Sequence, residues 1–250
     1  MPQPDPAAPT LAPEAAPVAA RPAASLRPRD AATLIVLDRR GRGGPKVLMG
    51  RRNARLAFMP GKFVFPGGRI ELGDRAMSVA GALPDYAEGA LARRITKPPH
   101  HLGRALALAA IRETYEETGL LFGTTEYGPP EAVPTGWEAF RSHGVLPDLE
   151  ALHFVARAIT PPKRVRRFDT RFFTVDRSAV AAEEPGRVAE DTEFTELAWV
   201  RLDAARKLDL PTITRIILDE LEAQIAVDFA PHRPIPFHFE RYGRREREIL

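Results

Sequence analysis

Arg112-Glu113-Thr114-Tyr115-Glu116-Glu117-Thr118-Gly119-Leu120 sets three carboxylates and an arginine on a stretch with no helix breaker before Gly119. Residues at i, i+3 and i+4 share a helical face, so Glu113, Glu116 and Glu117 project together. Carboxylates stacked this closely repel one another. A hard divalent cation with oxygen ligands removes that repulsion, so the cluster reads as a Mg²⁺ or Mn²⁺ site. The alternative is a solvated acidic helix face. Three observations favour the cation. R-E-x-x-E-E-x-G would arise by chance in roughly one in a few thousand sequences of this length. Leu108, Ile111 and Tyr115 recur at helical spacing behind the acids, so the helix is docked. Upstream, the strand-like run Phe63-Val64-Phe65 breaks at Pro66 into Gly67-Gly68, and paired glycines permit close backbone approach to a ligand.

Working outward, Ala31 to Leu37 reads as a strand, Asp38 to Pro45 as a turn and Lys46 to Arg51 as a partner strand. Short strands are expected at Phe63–Phe65 and Arg69–Glu71. Residues 75–101 carry Pro84, Pro98 and Pro99 and read as a surface excursion with a short helix from Asp85 to Arg94. A fresh helix then runs to Thr118, with Gly119 as its stop. Residues 123–136 read as loop and Trp137 to Arg141 as helix. Strands are expected at His153–Ile159, Phe168–Val175 and Phe194–Val200, with a polar, mobile stretch at Ser178–Asp191 between the last two. Ile213, Ile216, Ile217 and Leu221 mark a final helix from Pro211 to Gln224. Strands interleaved with two substantial helices indicate a mixed α/β sandwich. The domain spans about 30–226, preceded by a disordered Pro/Ala-rich tail (1–29) and followed by a C-terminal extension (227–250).

The 250 residues contain no cysteine, which excludes disulfides, thiolate metal sites and a cysteine nucleophile. A net charge of +3 is too small to argue for nucleic acid, and no apolar run is long enough to span a membrane. The N-terminus has no secretory pattern, which makes cytoplasm the default location. The six histidines show no metal-ligand spacing. Substrate phosphates would need cations facing the acidic helix. Arg51 and Arg52 end the second strand, and Arg167 and Arg171 belong to the densest basic cluster, 163–171. Alternation places Arg167, Asp169 and Arg171 on one face of their strand and Phe168, Thr170 and Phe172 on the other. A basic edge strand that discourages aggregation is the competing explanation of that cluster.

These residues resemble the Nudix hydrolase family, whose signature is G-x5-E-x7-R-E-U-x-E-E-x-G-U with U a bulky apolar residue. The second half matches at Arg112, Glu113, Glu116, Glu117, Gly119 and Leu120, with Thr114 in the first U position. The first half matches at Gly68, with Asp74 in place of the first glutamate. Asp74 and Arg112 are separated by 37 residues where the signature has seven, so 30 are inserted inside the box. The interruption, the run Phe58-Met59-Pro60-Gly61-Lys62-Phe63-Val64-Phe65-Pro66-Gly67-Gly68 and the block 166–173 look like the branch that contains the peroxisomal coenzyme A diphosphatases and their bacterial relatives.

The resemblance implies an α/β/α sandwich with a mixed sheet and Mg²⁺- or Mn²⁺-dependent hydrolysis of a diphosphate linkage in a nucleoside diphosphate bonded to another group. Coenzyme A or a related nucleotide is the leading substrate; ADP-ribose, NADH and dinucleoside polyphosphates are alternatives. A catalytically inactive nucleotide-binding regulator is the rival of another class, although degeneration should erase box glutamates and all three are present. By the same resemblance, Gly68 adds a backbone carbonyl to the metal set of Glu113, Glu116 and Glu117, and Arg112 orients a box glutamate. The general base is Glu116 within the box, or Glu193 or Glu196 before Trp199, with Glu196 the choice among the distant pair. The partner is a small nucleotide, nucleic acid is not expected, and dimers are frequent among relatives.

Overall fold

The strand β1 (Arg29–Asp38) is apolar on both sides and buried from Ala31 onward apart from the half-buried Thr33, the pattern of a strand covered on both faces. The computed structural model describes residues 26–250, so most of the expected tail lies outside the described residues. β1 runs parallel to β7 (Phe168–Asp176), which is antiparallel to β6 (His153–Ile159). β6 in turn pairs in parallel with β10 (Pro236–Arg241), which hairpins into β11 (Arg244–Ile249). On its other side β1 pairs first with β4 (Gly67–Arg69) and then with β2 (Lys46–Arg52). β2 pairs with β3 (Phe63–Val64) and with β9 (Phe194–Arg201). Among the described residues these strands form one mixed nine-stranded sheet.

Alternation along β1 assigns each face its helix. Ala32, Leu34 and Val36 join Leu106, Leu108 and Ile111 of the helix α3 (Leu102–Thr118) in one core. Ile35 and Leu37 join Ile217, Leu218 and Leu221 of a C-terminal helix (Thr212–Ile225) in the other. The expected α/β/α sandwich is the fold observed. β4 begins two residues earlier than the sequence suggests, and a short helix α1 (Leu72–Ala76) follows it at once.

The insertion is not a surface excursion. A helix α2 (Asp85–Ala92) lies within it and buries Ala87, Ala90 and Leu91, while Met77 and Leu83 enter the core beneath α3. Arg104 of α3 donates to the Met77 carbonyl and to that of Arg75 (3.3 Å), tying the start of the insertion to the helix that follows it. Two further expectations are corrected. Within Ser178–Asp191 a strand β8 (Val180–Glu183) pairs with β5 (Leu120–Phe122). Residues 236–249 of the C-terminal extension extend the main sheet, with Phe237 and Leu250 in the core. No described helix is long and apolar enough to cross a membrane.

Candidate active site

α3 is buried along almost its whole length, so its polar residues point where packing puts them. Thr114, in the apolar position of the box motif, is fully buried, and its hydroxyl donates to the Ala110 carbonyl (2.7 Å), leaving no orphan polar group. Gly119 ends the helix at φ +82°, and an added Cβ would lie 2.0 Å from the Glu184 carbonyl oxygen, so no other residue fits there. Tyr115 donates to Glu184 (2.7 Å), and Arg187 donates to both, which fixes the C-terminal turn of α3 against the strand β8. Arg187, Tyr115 and His143 each hydrogen-bond the Glu184 carboxylate and hold its pKa down at about 2.

Arg112 is the hub. It is 1% exposed, and its Nε and Nη2 donate to the two oxygens of Asp74 (2.8 and 3.1 Å). Nη1 reaches both oxygens of Glu116 (3.1 Å each), while Nη2 also reaches Glu113 (3.2 Å) and the Arg69 carbonyl (2.9 Å). Burial opposes the guanidinium charge, but Asp74, Glu113 and Glu116 outweigh it and raise its pKa. Asp74 is fully buried and also accepts the Glu71 amide (2.7 Å), which caps α1. The two halves of the box motif, 38 positions apart, therefore meet through one bidentate ion pair.

Beside the hub lies an acidic recess. Glu117 is 7% exposed and accepts the Gly67 amide (3.0 Å). Burial, then repulsion from Glu193 and Glu113, pushes its carboxyl well above the ordinary range. Burial likewise lifts Glu113 to about 7, with Glu116 and Glu193 adding to the shift and Arg112 opposing it. Gly68 makes room for this arrangement: a Cβ there would lie 2.2 Å from the Glu113 carboxylate carbon. Gly67, at φ +155°, lies so close to β1 that a Cβ would sit 2.4 Å from the Ala32 carbonyl oxygen.

The structure sorts the candidate residues. Gly68, Arg112, Glu113, Glu116 and Glu117 come together, with Glu116 the most exposed of the glutamates (side chain 41%). Arg52 joins them: its Nη1 donates to Glu193 (2.6 Å) and its Nε to the Phe58 carbonyl (3.0 Å). Glu193, which the sequence offered only alongside Glu196, is the loop acid whose charge acts on Glu113 and Glu117. Glu196 instead lies on β9 opposite Arg51, 3.9 Å from its guanidinium, both half exposed. Arg171 is corrected. β7 is an interior strand, and Arg171 is fully buried, donating to Asp30 (2.6 Å) and the Asp169 carbonyl (2.8 Å). Arg167 donates to the Leu26 carbonyl (2.7 Å) at the rim of a separate cavity. Among the described residues no three Asp, Glu or His side chains already converge in a metal-holding group, because Arg112 stands between Glu113 and Glu116.

A solved NUDIX hydrolase from Alicyclobacillus acidocaldarius matches 81% of this chain and 96% of its own, at 26% identity and a TM-score of 0.59. The fold is that of a Nudix hydrolase. Within that fold, Arg112 and the three box glutamates lie on one helix, α3. Other solved Nudix structures match more loosely. The NUDIX domain of Shewanella oneidensis NrtR, complexed with ADP ribose, is 11% identical (TM-score 0.45, 83% of this chain and 94% of that one). The MutT protein from Methanosarcina mazei Go1 is 17% identical (TM-score 0.41, 80% and 99%). No family model matches the sequence.

Proposed function

We propose that this Nudix chain hydrolyses the diphosphate linkage of a nucleoside diphosphate bonded to another group, with Mg²⁺ or Mn²⁺, and that coenzyme A or a related nucleotide is the substrate. The observation that carries the reading is the placing of Glu113 and Glu117 together against the Gly67-Gly68 backbone. Glu117 is buried and Glu113 half-buried beside it, both with carboxyls pushed above the ordinary range, against a glycine pair that has no room for a side chain. A protein gains nothing from such a pair alone, and a divalent cation held by Glu113, Glu117, Glu116 and the Gly68 carbonyl would satisfy it. Bound there, the cation would supply charge neutralisation for phosphate oxygens and acidify water.

The chain's own groups do the rest. Arg112 keeps Glu113 and Glu116 in fixed rotamers, and Asp74 keeps Arg112 in place, so the acidic face needs no reorganisation during the reaction. Arg52 holds Glu193 over the recess, where its carboxylate can accept a proton from an attacking water. Phosphoryl transfer asks mainly for positioning and charge stabilisation, and this apparatus provides both.

Incubation with Mg²⁺ and coenzyme A, ADP-ribose, NADH or diadenosine polyphosphates tests the reading. Release of adenosine 3′,5′-bisphosphate from coenzyme A is expected, and EDTA should abolish it. Nucleotide binding without turnover of any of them would instead make the chain a regulator. Within the site, Glu193→Gln is expected to lower kcat by about 10²-fold or more, the usual contribution of a general base. Glu196→Gln is expected to change it by less than about threefold, as for an exposed strand residue. Equal losses in the two variants would remove Glu193 from the base role.

A further inference from the structure

Arg52 holds the Glu193 carboxylate (2.6 Å), and the next residue, Asn53, holds its main chain. Asn53 directly follows β2 and is 7% exposed. Its backbone N–H donates to the Glu193 carbonyl (2.8 Å). Its side-chain Nδ2 donates to the carbonyls of Glu190 (2.8 Å) and Thr192 (3.1 Å). Oδ1 accepts the Arg55 amide (3.0 Å), an Asx-turn that fixes the side chain. The carboxamide serves in this orientation alone, since the carbonyls need a donor and the amide an acceptor. Asn53 therefore takes the carbonyls of Glu190, Thr192 and Glu193 together.

The segment it takes has no apolar anchor. Ala189, Glu190, Asp191 and Glu193 are exposed, and no residue of 189–193 joins either core. The Thr192 hydroxyl accepts the Ala189 amide (2.9 Å), which closes a turn on itself, and Asn53 fastens that turn to the end of β2. A surface segment that buries so little opens at low free energy unless hydrogen bonds hold it. Repulsion adds to the demand, because Glu193 faces the carboxylates of Glu113 and Glu117. A proton acceptor must stay within hydrogen-bond reach of its water, and a displacement of about 1 Å can cost about 10²-fold in rate.

We propose that Asn53 is a positioning residue for catalysis: by binding the main chain of 190–193 it keeps the Glu193 carboxylate over the recess. The role rests on the diphosphohydrolase reading and on Glu193 as its proton acceptor. Neighbouring residues divide the task, Arg52 on the carboxylate and Asn53 on the backbone behind it.

A double-variant cycle on the full chain tests this, with Mg²⁺ and whichever of coenzyme A, ADP-ribose, NADH and diadenosine polyphosphates is turned over. Asn53→Ala is expected to lower kcat about 10- to 100-fold and to change KM by less than about twofold, because the base moves while the binding surfaces do not. In a Glu193→Gln background the same substitution should lower kcat by less than about twofold, since the carboxylate it acts through is already gone. Asn53→Asp keeps the shape and the Arg55 bond but turns an oxygen toward two carbonyls. It should lose at least as much as Asn53→Ala, with the same dependence on Glu193. Asn53→Asp carries the cycle should Asn53→Ala not fold, and melting curves monitor both. Hydrogen exchange, read without metal or substrate, gives a second measurement: peptides within 186–194 should exchange at least about tenfold faster in either variant, while α3 keeps its protection.

Losses that multiply in the two backgrounds, a raised KM with kcat unchanged, or unaltered exchange of 186–194 would each overturn the assignment. The failures are separable. If Glu193→Gln impairs turnover and Asn53→Ala does not, Asn53 alone loses its role. If Glu193→Gln leaves turnover intact, the base and its positioning residue fall together. If the wild-type chain turns over none of the nucleotides but 186–194 exchanges faster in Asn53→Ala, the hydrolase reading falls, the catalytic role falls with it, and the hold on the segment stands.

Discussion

Glu117→Gln is expected to lower turnover by about 10²–10³-fold and, in the same protein without divalent cation, to leave the melting temperature unchanged or raise it. The two effects have one cause. Glu117 is almost sealed from water, touches the Gly67 amide, and shares its surroundings with Glu113 and Glu193. Its folded-state pKa lies above its unfolded value, so the protonated form favours folding. That contribution is complete below the unfolded pKa of 4.5 and is lost as pH rises through the folded pKa. For Glu113, whose carboxyl sits at about 7, the same loss runs from 4.5 to about 7. Glutamine removes the Glu117 charge while keeping its shape and an oxygen for the Gly67 amide. Melting curves between pH 5 and 8, with and without Mg²⁺, check this. The wild-type chain should lose stability with rising pH and regain it with Mg²⁺, and the variant should do less of both. Retained activity, or a clear loss of stability in the metal-free variant, would show that Glu117 is a structural acid.

Arg112→Met carries the second large effect, of the opposite kind. Removing the guanidinium leaves the fully buried Asp74 charged and unpaired and lets Glu113 and Glu116 repel freely. Breaking a buried pair from one side costs about 3–5 kcal/mol. At this chain length that corresponds to a fall of roughly 6–20 °C in Tm. Asp74→Asn in the same chain should return part of the stability, because the amide oxygen can still accept the Glu71 amide while the stranded charge is gone. Activity should stay lost in both, since neither restores the hold on Glu116. A double variant no more stable than Arg112→Met, with Asp74→Asn alone harmless, would separate the two residues and break the link between the halves of the box motif.

Much of this was legible before the coordinates. Glu113, Glu116 and Glu117 share a face because helical geometry is local, and Gly119 stops the helix for the same reason. β1 announced itself by its apolar run Leu34–Leu37. What escaped the sequence depended on distant partners. Arg171 reads as a surface cation until β6 and β1 are known to flank its strand and Asp30 to supply its counter-charge. Glu193 and Glu196 differ in the sequence only by their order around Phe194. The pairing shift between Arg51 and Arg52 is what leaves Glu193 on Arg52 beside the recess and Glu196 out on the strand. β11 went unread because Arg244–Ile249 alternates charge with charge rather than apolar with polar.

The insertion between Asp74 and Arg112 finally concerns the entropy of the unfolded chain. Stretching a flexible spacer from about 7 to about 37 residues raises the cost of closing the Arg112–Asp74 contact by only about 1.5 kcal/mol, because closure entropy grows with the logarithm of length. Burying Leu83, Ala87 and Leu91 against α3 is of the scale to offset that, since each fully buried leucine contributes about 2 kcal/mol. A polar spacer of equal length would leave the closure cost standing. The added segment thus contributes apolar contacts of its own, and Leu83, Ala87 and Leu91 are the positions at which a substitution would disturb the helix they pack against.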